Sequence, residues 1–199
     1  MASGNLALVE EGDVATLLLD APPRNETNLA LFDELSRLVE RVLPSLRVRG
    51  LIVRGRGRHF SSGANLDELR RAVADALPAS LDEHSAALSA LEALPYPTVA
   101  AVDGCCLGSG LELALACRFR VATPRTLFAA PEATFGLMPG CGATVRLPAL
   151  VGTGRAIELM LTGRAVEAPE ALALGLVDAV APRESLGEAA ARLLRAVAP

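Results

Sequence analysis

The sequence TVAAVDGCCLGSGLELA, residues 98–114, decides the fold of this chain. Its first five residues are apolar or β-branched and predict a buried strand, and the apolar residues after Ser109 continue at helical spacing. A glycine-rich turn between strand and helix lets backbone N–H groups point into a cleft at the positive end of the helix. Alone, the pattern also fits a turn that only packs a helix on a strand. It does not match the dinucleotide-binding motif G-x-G-x-x-G. With Gly108 and Gly110 as the first two glycines, the third would be at position 113, where the chain has leucine.

A second turn of the same kind occupies residues 59–66, which read HFSSGANL. The apolar run Gly50–Val53 before it predicts another buried strand. The residues after Leu66 predict a helix, and Asn65 can cap that helix because its side-chain oxygen can accept from a free amide of the first turn. The two turns therefore predict two strand–turn–helix units.

The remaining segments predict an α/β protein. Leu6–Val9 and Val14–Leu19 indicate a hairpin, since the turn residues Glu11-Gly12-Asp13 separate them. Further strands are predicted at 118–122 and 126–129. Helices are predicted from Asn28 to Pro44, at 66–94 with a break at Pro78, and at 143–150, 154–161, 168–173 and 184–197. Strands separated by helices indicate a mainly parallel, layered sheet.

The composition excludes several classes of function. Aromatic residues make up 3% of the chain and the net charge is −4, which argues against a nucleic-acid partner. The chain contains no lysine, which excludes a Schiff base and the lysine of a phosphate-binding P-loop. No C-x-x-C occurs and His59 and His84 are not spaced as partners, so we expect no metal site. The apolar run Leu111–Ala116 is too short to cross a bilayer, so we expect no membrane partner. Unpaired cysteines and the lack of a signal peptide predict a cytoplasmic protein.

Five segments, in order and spacing, resemble the enoyl-CoA hydratase/isomerase family, which is also called the crotonase family. The first is an aromatic residue and small residues before Gly-Ala-Asn, and the second is the strand and turn that end in Glu-Leu-Ala. The third joins Pro-Glu to a later Pro-Gly turn. The segments are Phe60–Asn65, Ala101–Ala114, Pro131–Gly142, Leu161–Arg164 and Ala173–Asp178. The resemblance covers nearly the whole chain.

The resemblance implies a crotonase-like fold, a layered ββα spiral core followed by short C-terminal helices. Residues 1–150 would form the core with an acyl-thioester site, and residues 151–199 a short helical C-terminal region. It also implies that the backbone N–H groups of Ala64 and Ser109 form an oxyanion hole. Glu112 and Glu132, 20 residues apart as in the family, would be the catalytic carboxylates that hold a water.

The same resemblance implies a ligand and its contacts. The substrate would be an acyl group on coenzyme A or on a carrier protein, with no tightly bound cofactor. Arg24 falls where the family often has a basic residue near the cofactor phosphates, although a surface role fits it equally well. Besides Arg24, the residues expected to bind the substrate or coenzyme A are Ser62, Gly63, Asn65, Leu66 and Gly108.

Several departures from the family pattern bear on the oligomeric state and on the binding of the cofactor. Asn65 stands where the family has an acidic residue, and Ser109 replaces the usual glycine. The sequence ends at Pro199, before the C-terminal helices that relatives use to cover the cofactor and build trimers. We therefore expect a homo-oligomer, a trimer or a higher multiple, through apolar residues of 154–161 and 184–197. Those residues are Ile157, Leu159, Met160, Leu161, Leu186, Leu193, Leu194 and Val197.

Four functions remain at this point. Hydration of an α,β-unsaturated acyl thioester, or the reverse dehydration, uses both glutamates. Isomerisation of an enoyl double bond needs Glu132 alone as the proton shuttle. Hydrolysis of an acyl thioester could use the same oxyanion hole. A non-catalytic partner subunit of a full-length relative would explain the early C-terminus but not the presence of both glutamates.

Overall fold

The computed structural model describes residues 4–75 and 77–197, apart from the side chains of residues 72–80. Strands and helices alternate along this part of the chain. The strands are β1 (Leu6–Glu11), β2 (Val14–Leu19), β3 (Gly50–Gly55), β4 (Thr98–Val102), β5 (Cys105–Leu107), β6 (Phe119–Ala122), β7 (Leu127–Ala129), β8 (Val166–Glu167) and β9 (Ala179–Val180). The α-helices are α1 (Leu29–Arg37), α2 (Leu66–Asp75), α3 (Leu77–Glu92), α4 (Ser109–Ala116), α5 (Ala143–Val151), α6 (Thr153–Thr162), α7 (Ala168–Ala173) and α8 (Leu186–Val197).

The strands form two sheets. The larger sheet has the order β1-β2-β3-β4-β6-β9, and only its hairpin β1–β2 is antiparallel. The smaller sheet has the order β5-β7-β8. The prediction of a mainly parallel, layered α/β core is therefore confirmed.

Strand β4 shows why its sequence is apolar throughout. All five of its residues are buried, since successive side chains point to opposite faces of the sheet and both faces are covered. Ala100 and Val102 lie in the large core that includes α1, α3 and α4, whereas Val99 and Ala101 pack in a smaller core with α8. The carboxyl end of this central strand leads directly to the glycine-rich turn.

The predicted helices are present, but the one expected from Asn28 to Pro44 is an α-helix only as far as Arg37. A π-helical segment, Leu38–Val42, and a 3₁₀ turn, Leu43–Ser45, follow it. The break predicted at Pro78 lies next to residue 76, which is outside the described residues. Helix α2 ends at Asp75 and α3 begins at Leu77 on either side of it, so the break stays a prediction.

The expected apolar contact surface at the C-terminal helices is wrong for half of its residues. Leu159, Met160, Leu186 and Leu194 are buried within the chain itself, because α6 and α8 turn these side chains toward the two cores. By contrast, Ile157, Leu161 and Val197 are exposed. The homo-oligomer, whether trimer or higher multiple, stays a prediction.

Two features of the described residues bear on the expected partners. No helix in the described part of the chain is both long and apolar enough to pass through a bilayer. Among the same residues, no group of three or more His, Cys, Asp or Glu side chains is placed to hold a metal ion.

Candidate active site

A cavity of about 570 Å³ lies where the two glycine-rich turns meet. Helices α1, α2 and α3 and the segment after β7 complete its walls. It brings together nine of the ten residues that the sequence indicated. These are Ser62, Gly63, Ala64, Asn65, Leu66, Gly108, Ser109, Glu112 and Glu132.

The two turns are joined by backbone hydrogen bonds. Ser61 forms an isolated parallel bridge with Cys106, in which Leu107 N–H donates to Ser61 O at 3.1 Å. A Cβ on Gly63 would lie 2.7 Å from the Leu107 carbonyl oxygen, and the φ of Gly63 is +89°. Only glycine fits here, because a side chain would strain the backbone and force the turns apart.

Each turn presents a backbone N–H without a partner in the part of the chain that the structure describes. Ala64 pairs with Thr27 in a parallel bridge whose hydrogen bonds use Gly63 O and Asn65 N–H, which leaves the Ala64 N–H unused. Ser109 is the first residue of α4, where an N–H has no intrahelical acceptor. Two free donors on the walls of one cavity can bind an oxygen that gains negative charge.

The positive end of α4 faces a carboxylate. Gly108, which precedes the helix, has φ 52° and ψ −126°, and a Cβ at this position would lie 3.1 Å from Glu132 Oε1. The Glu132 side chain therefore lies against the first turn of α4, where the helix dipole favours negative charge.

Glu112 is almost completely buried, with 2% of its surface exposed. Its Oε1 accepts hydrogen bonds from Cys141 N–H at 2.7 Å and from Ala143 N–H at 3.1 Å. Burial raises the pKa of Glu112, and these hydrogen bonds act in the opposite direction. Both amides bind Oε1 and fix the rotamer of Glu112, and the Cys141 side chain also hydrogen-bonds to this carboxylate. The Pro139–Gly142 turn of the third motif supplies the first donor, and the first residue of α5, Ala143, supplies the second.

Glu132 begins a short 3₁₀ helix, Glu132–Phe135, after β7. Burial raises the pKa of Glu132 to about 7, and the nearby charge of Glu112 adds to this effect. Its Oε2 is buried and has no hydrogen-bond partner among the described residues. A carboxyl group with a pKa near 7 can give or take a proton at neutral pH, and its free oxygen is available to a ligand.

The hydroxyls of Ser61, Ser62 and Ser109 make no hydrogen bond to a histidine or a carboxylate among the described residues. Ser109 Oγ lies 2.5 Å from Thr27 Oγ1, and Ser61 Oγ accepts from Gly63 N–H at 3.1 Å. His59 Nδ1 accepts a hydrogen bond from Cys105 N–H at 3.1 Å. The arrangement gives no support to a serine nucleophile.

Asn65 suits this chain better than the acidic residue of the family. Its Oδ1 caps α2 by accepting from Glu68 N–H at 2.9 Å, as predicted. Its Nδ2 donates to Glu26 Oε2 at 2.8 Å. An aspartate could form the cap but not the second bond, since it has no N–H and carries the same charge as Glu26.

Arg24 is the one indicated residue that does not line the cavity. Its carbonyl oxygen accepts from Ser62 N–H at 3.0 Å, but 70% of its side chain is exposed and Nη1 lies 3.5 Å from Glu26 Oε1. Arg24 therefore lies beside the first turn and outside the cavity. Its contact with phosphates stays a prediction.

Some cavity residues carry no clear signal in the sequence. Phe32 of α1 and His84 of α3 stack in the wall, with ring centroids 3.9 Å apart and an interplanar angle of 13°. Burial lowers the pKa of His84, although nearby carboxylates oppose this effect. Thr27 and Cys141 also line the cavity. Cys141 could have been found from its place in the Pro-Gly turn, but Thr27 follows no recognisable motif.

The fold and the cavity define a class of protein: an α/β protein with two unpaired backbone N–H groups and two carboxylates on the walls of one cavity. The sequence profile described as enoyl-CoA hydratase/isomerase matches residues 10–199. The chain therefore belongs to the enoyl-CoA hydratase/isomerase family, and its fold is the crotonase fold.

Solved structures agree with this assignment. The chain is 34% identical to an enoyl-CoA hydratase from Bacillus anthracis, with a TM-score of 0.90, over 96% of this chain and 76% of that one. It is 33% identical to DspI from Pseudomonas aeruginosa, with a TM-score of 0.89, over 98% and 75% of the two chains. A Thermobifida fusca protein, named as an enoyl-CoA hydratase and solved with acetoacetyl-CoA, is 30% identical, with a TM-score of 0.89 over 98% and 80%.

Proposed function

We propose that the protein hydrates an α,β-unsaturated acyl thioester, or catalyses the reverse dehydration, and that the thioester is an acyl-CoA. One observation carries the proposal: the two unpaired N–H groups of Ala64 and Ser109 line the same cavity as Glu112 and Glu132. Hydration needs the N–H groups, because negative charge develops on the thioester oxygen. It also needs the two carboxylates, because a water and a proton must be delivered to adjacent carbons. The relative solved with acetoacetyl-CoA supports an acyl-CoA ligand.

The two glutamates differ in environment, and this suggests separate roles. Glu112 is fixed by two amides at Oε1, so its carboxylate would orient a water toward C3 and accept the proton that this water loses as the C–O bond forms. Glu132, with a pKa of about 7, holds a proton for part of the time at neutral pH and can deliver it to C2. Until C2 is protonated, the N–H groups of Ala64 and Ser109 would stabilise the negative charge on the enolate oxygen, and each such donor contributes on the order of 3 kcal/mol.

The remaining parts of the cavity would hold the thioester. Ser62, Gly63, Asn65, Leu66 and Gly108 line the approach to the two N–H groups and would contact the acyl-CoA. Arg24, exposed beside the first turn, would meet the phosphates of coenzyme A outside the cavity. A carrier-protein substrate would lack most of these phosphates, so loss of binding in Arg24→Gln favours coenzyme A.

Isomerisation is the second candidate, because Glu132 alone could move a proton between C2 and C4. The hydrogen-bonded, buried Glu112 favours hydration, since isomerisation gives that residue no task. The hydrolase is disfavoured because Ser109 Oγ is paired with Thr27 and makes no hydrogen bond to a base among the described residues. An inactive partner subunit is disfavoured by the complete set of donors and carboxylates.

Incubation with crotonyl-CoA separates these candidates. Hydration removes the absorbance of the conjugated thioester, and mass spectrometry shows a product heavier by one water that is still attached to coenzyme A. Vinylacetyl-CoA, offered separately, gains conjugation under an isomerase. Release of free coenzyme A thiol would identify a hydrolase. No change with any substrate, in a folded sample, would contradict the proposed function.

A further inference from the structure

Thr27 contacts both turns that provide the unpaired N–H groups. It lies just before α1, and only 2% of its surface is exposed. Its backbone N–H donates to Gly63 O at 2.9 Å, and its carbonyl oxygen accepts from Asn65 N–H at 2.8 Å. These two bonds flank Ala64, so the backbone of Thr27 fixes the direction of the Ala64 N–H.

The side chain of Thr27 reaches the other turn. Its Oγ1 lies 2.5 Å from Ser109 Oγ, across a separation of 82 residues in the sequence. Ser109 is the first residue of α4, and its own N–H is the second unpaired donor. The hydroxyl pair therefore links the residue that orients Ala64 to the residue that carries the other donor.

We propose that Thr27 is a positioning residue that sets the separation of the Ala64 and Ser109 N–H groups. The inference rests on the proposed function, because it gives those groups a common oxygen to bind. A pair of donors stabilises developing charge only if both are already in place when the charge appears. The glycines of the two turns allow many backbone conformations, and the Thr27–Ser109 hydroxyl pair restricts them.

The same contact explains Ser109, which stands where the family usually has glycine. A glycine at this position has no side chain to bind Thr27. In this chain the serine hydroxyl takes part in the link and is not available as a nucleophile. Thr27 and Ser109 therefore form one unit, and their contributions to catalysis are not additive.

A double-mutant cycle tests the inference. Thr27→Val keeps the shape and the backbone bonds but removes the hydroxyl, and Thr27→Ser is the matched control that keeps it. With crotonyl-CoA we expect Thr27→Val and Ser109→Ala each to lower kcat about ten-fold with little change in KM. Misplaced donors stabilise the transition state less but affect substrate binding little. The double variant should be no worse than either single variant. Thr27→Ser should stay within about two-fold of the wild type.

Ligand binding gives a second readout that does not need turnover. Acetoacetyl-CoA forms an enolate whose charge the two donors would bind, and its ultraviolet absorbance reports that form, whereas butyryl-CoA forms almost none. Thr27→Val and Ser109→Ala should weaken the binding of acetoacetyl-CoA about ten-fold and leave the binding of butyryl-CoA unchanged. If Thr27→Val does not fold, Ser109→Ala and Thr27→Ser carry the same comparison.

The outcomes separate the two hypotheses. A wild type that binds acetoacetyl-CoA as the enolate but does not turn over enoyl-CoA would remove the proposed hydration and keep the role of Thr27. Hydration by the wild type with wild-type kcat in Thr27→Val and Ser109→Ala would overturn the role of Thr27 alone. Additive losses in the double variant, or equal weakening of acetoacetyl-CoA and butyryl-CoA, would also overturn it.

Discussion

Replacement of Glu132 by glutamine should increase stability at alkaline pH while it removes activity. Burial, with a smaller contribution from the charge of Glu112, raises the pKa of Glu132 to about 7 from an ordinary value of 4.5. The folded protein therefore holds this proton more tightly than the unfolded chain does. The resulting stability is fully present below pH 4.5 and is lost as the pH rises through about 7.

The size of the effect follows from the same two pKa values. Each pKa unit corresponds to about 1.4 kcal/mol, so full burial would give about 3 kcal/mol. Glu132 is partly exposed, and solvent screening reduces the expected value to about 1–2 kcal/mol. The free energy of unfolding of Glu132→Gln, relative to that of the wild type, should therefore rise by about 1–2 kcal/mol between pH 4.5 and pH 8.

Urea denaturation of both proteins at the two pH values measures this difference. The comparison between pH values cancels the constant cost of a glutamine amide in the cavity. Glu184→Gln, a change at an exposed glutamate, is the control and should show much less of the trend. A relative stability of Glu132→Gln that is independent of pH, or that falls toward pH 8, would refute the reasoning.

Two further predictions test the roles of the cavity residues. Glu112→Gln should lower hydration of crotonyl-CoA by 10² or more, within the range of general acid–base contributions, and reduce isomerisation of vinylacetyl-CoA much less; equal loss of both activities would contradict the division of roles. Gly63→Ala should abolish activity because its Cβ would lie 2.7 Å from Leu107 O, whereas Gly57→Ala, at the same φ of +89° with no atom within 4 Å, should cost only about 1 kcal/mol of stability. Kinetic assays and thermal unfolding of this matched pair measure the two effects. Similar activities in Gly63→Ala and Gly57→Ala would show that activity does not depend on the close approach of the two glycine-rich turns.

Much of the fold could be predicted because the strongest local signals agree with the overall arrangement. The apolar segment 98–102 is buried on both faces, and such strands can be recognised without knowledge of their partners. The glycine-rich turns were also visible, since Gly63 and Gly108 have the positive φ values that favour glycine. Whether the apolar residues of α6 and α8 are buried within the chain could not be predicted from the sequence. Helical periodicity shows that a face is apolar but not which surface covers it.

The site was predictable only where a family motif marked it. Glu112, Glu132, Ala64 and Ser109 all lie in motifs, and the structure places them around one cavity. Thr27 was missed because its contact with Ser109 joins residues 82 positions apart. Such a contact depends on tertiary packing, and no local pattern records it.

The structure of a complex with acetoacetyl-CoA is the most direct test of the central claim. The account predicts that the thioester oxygen lies about 2.7–3.1 Å from both the Ala64 and the Ser109 backbone nitrogen. The Glu112 and Glu132 carboxylates should lie on the side of the acyl group that receives water and proton. A thioester oxygen bound elsewhere, or in contact with only one of the two N–H groups, would contradict the account.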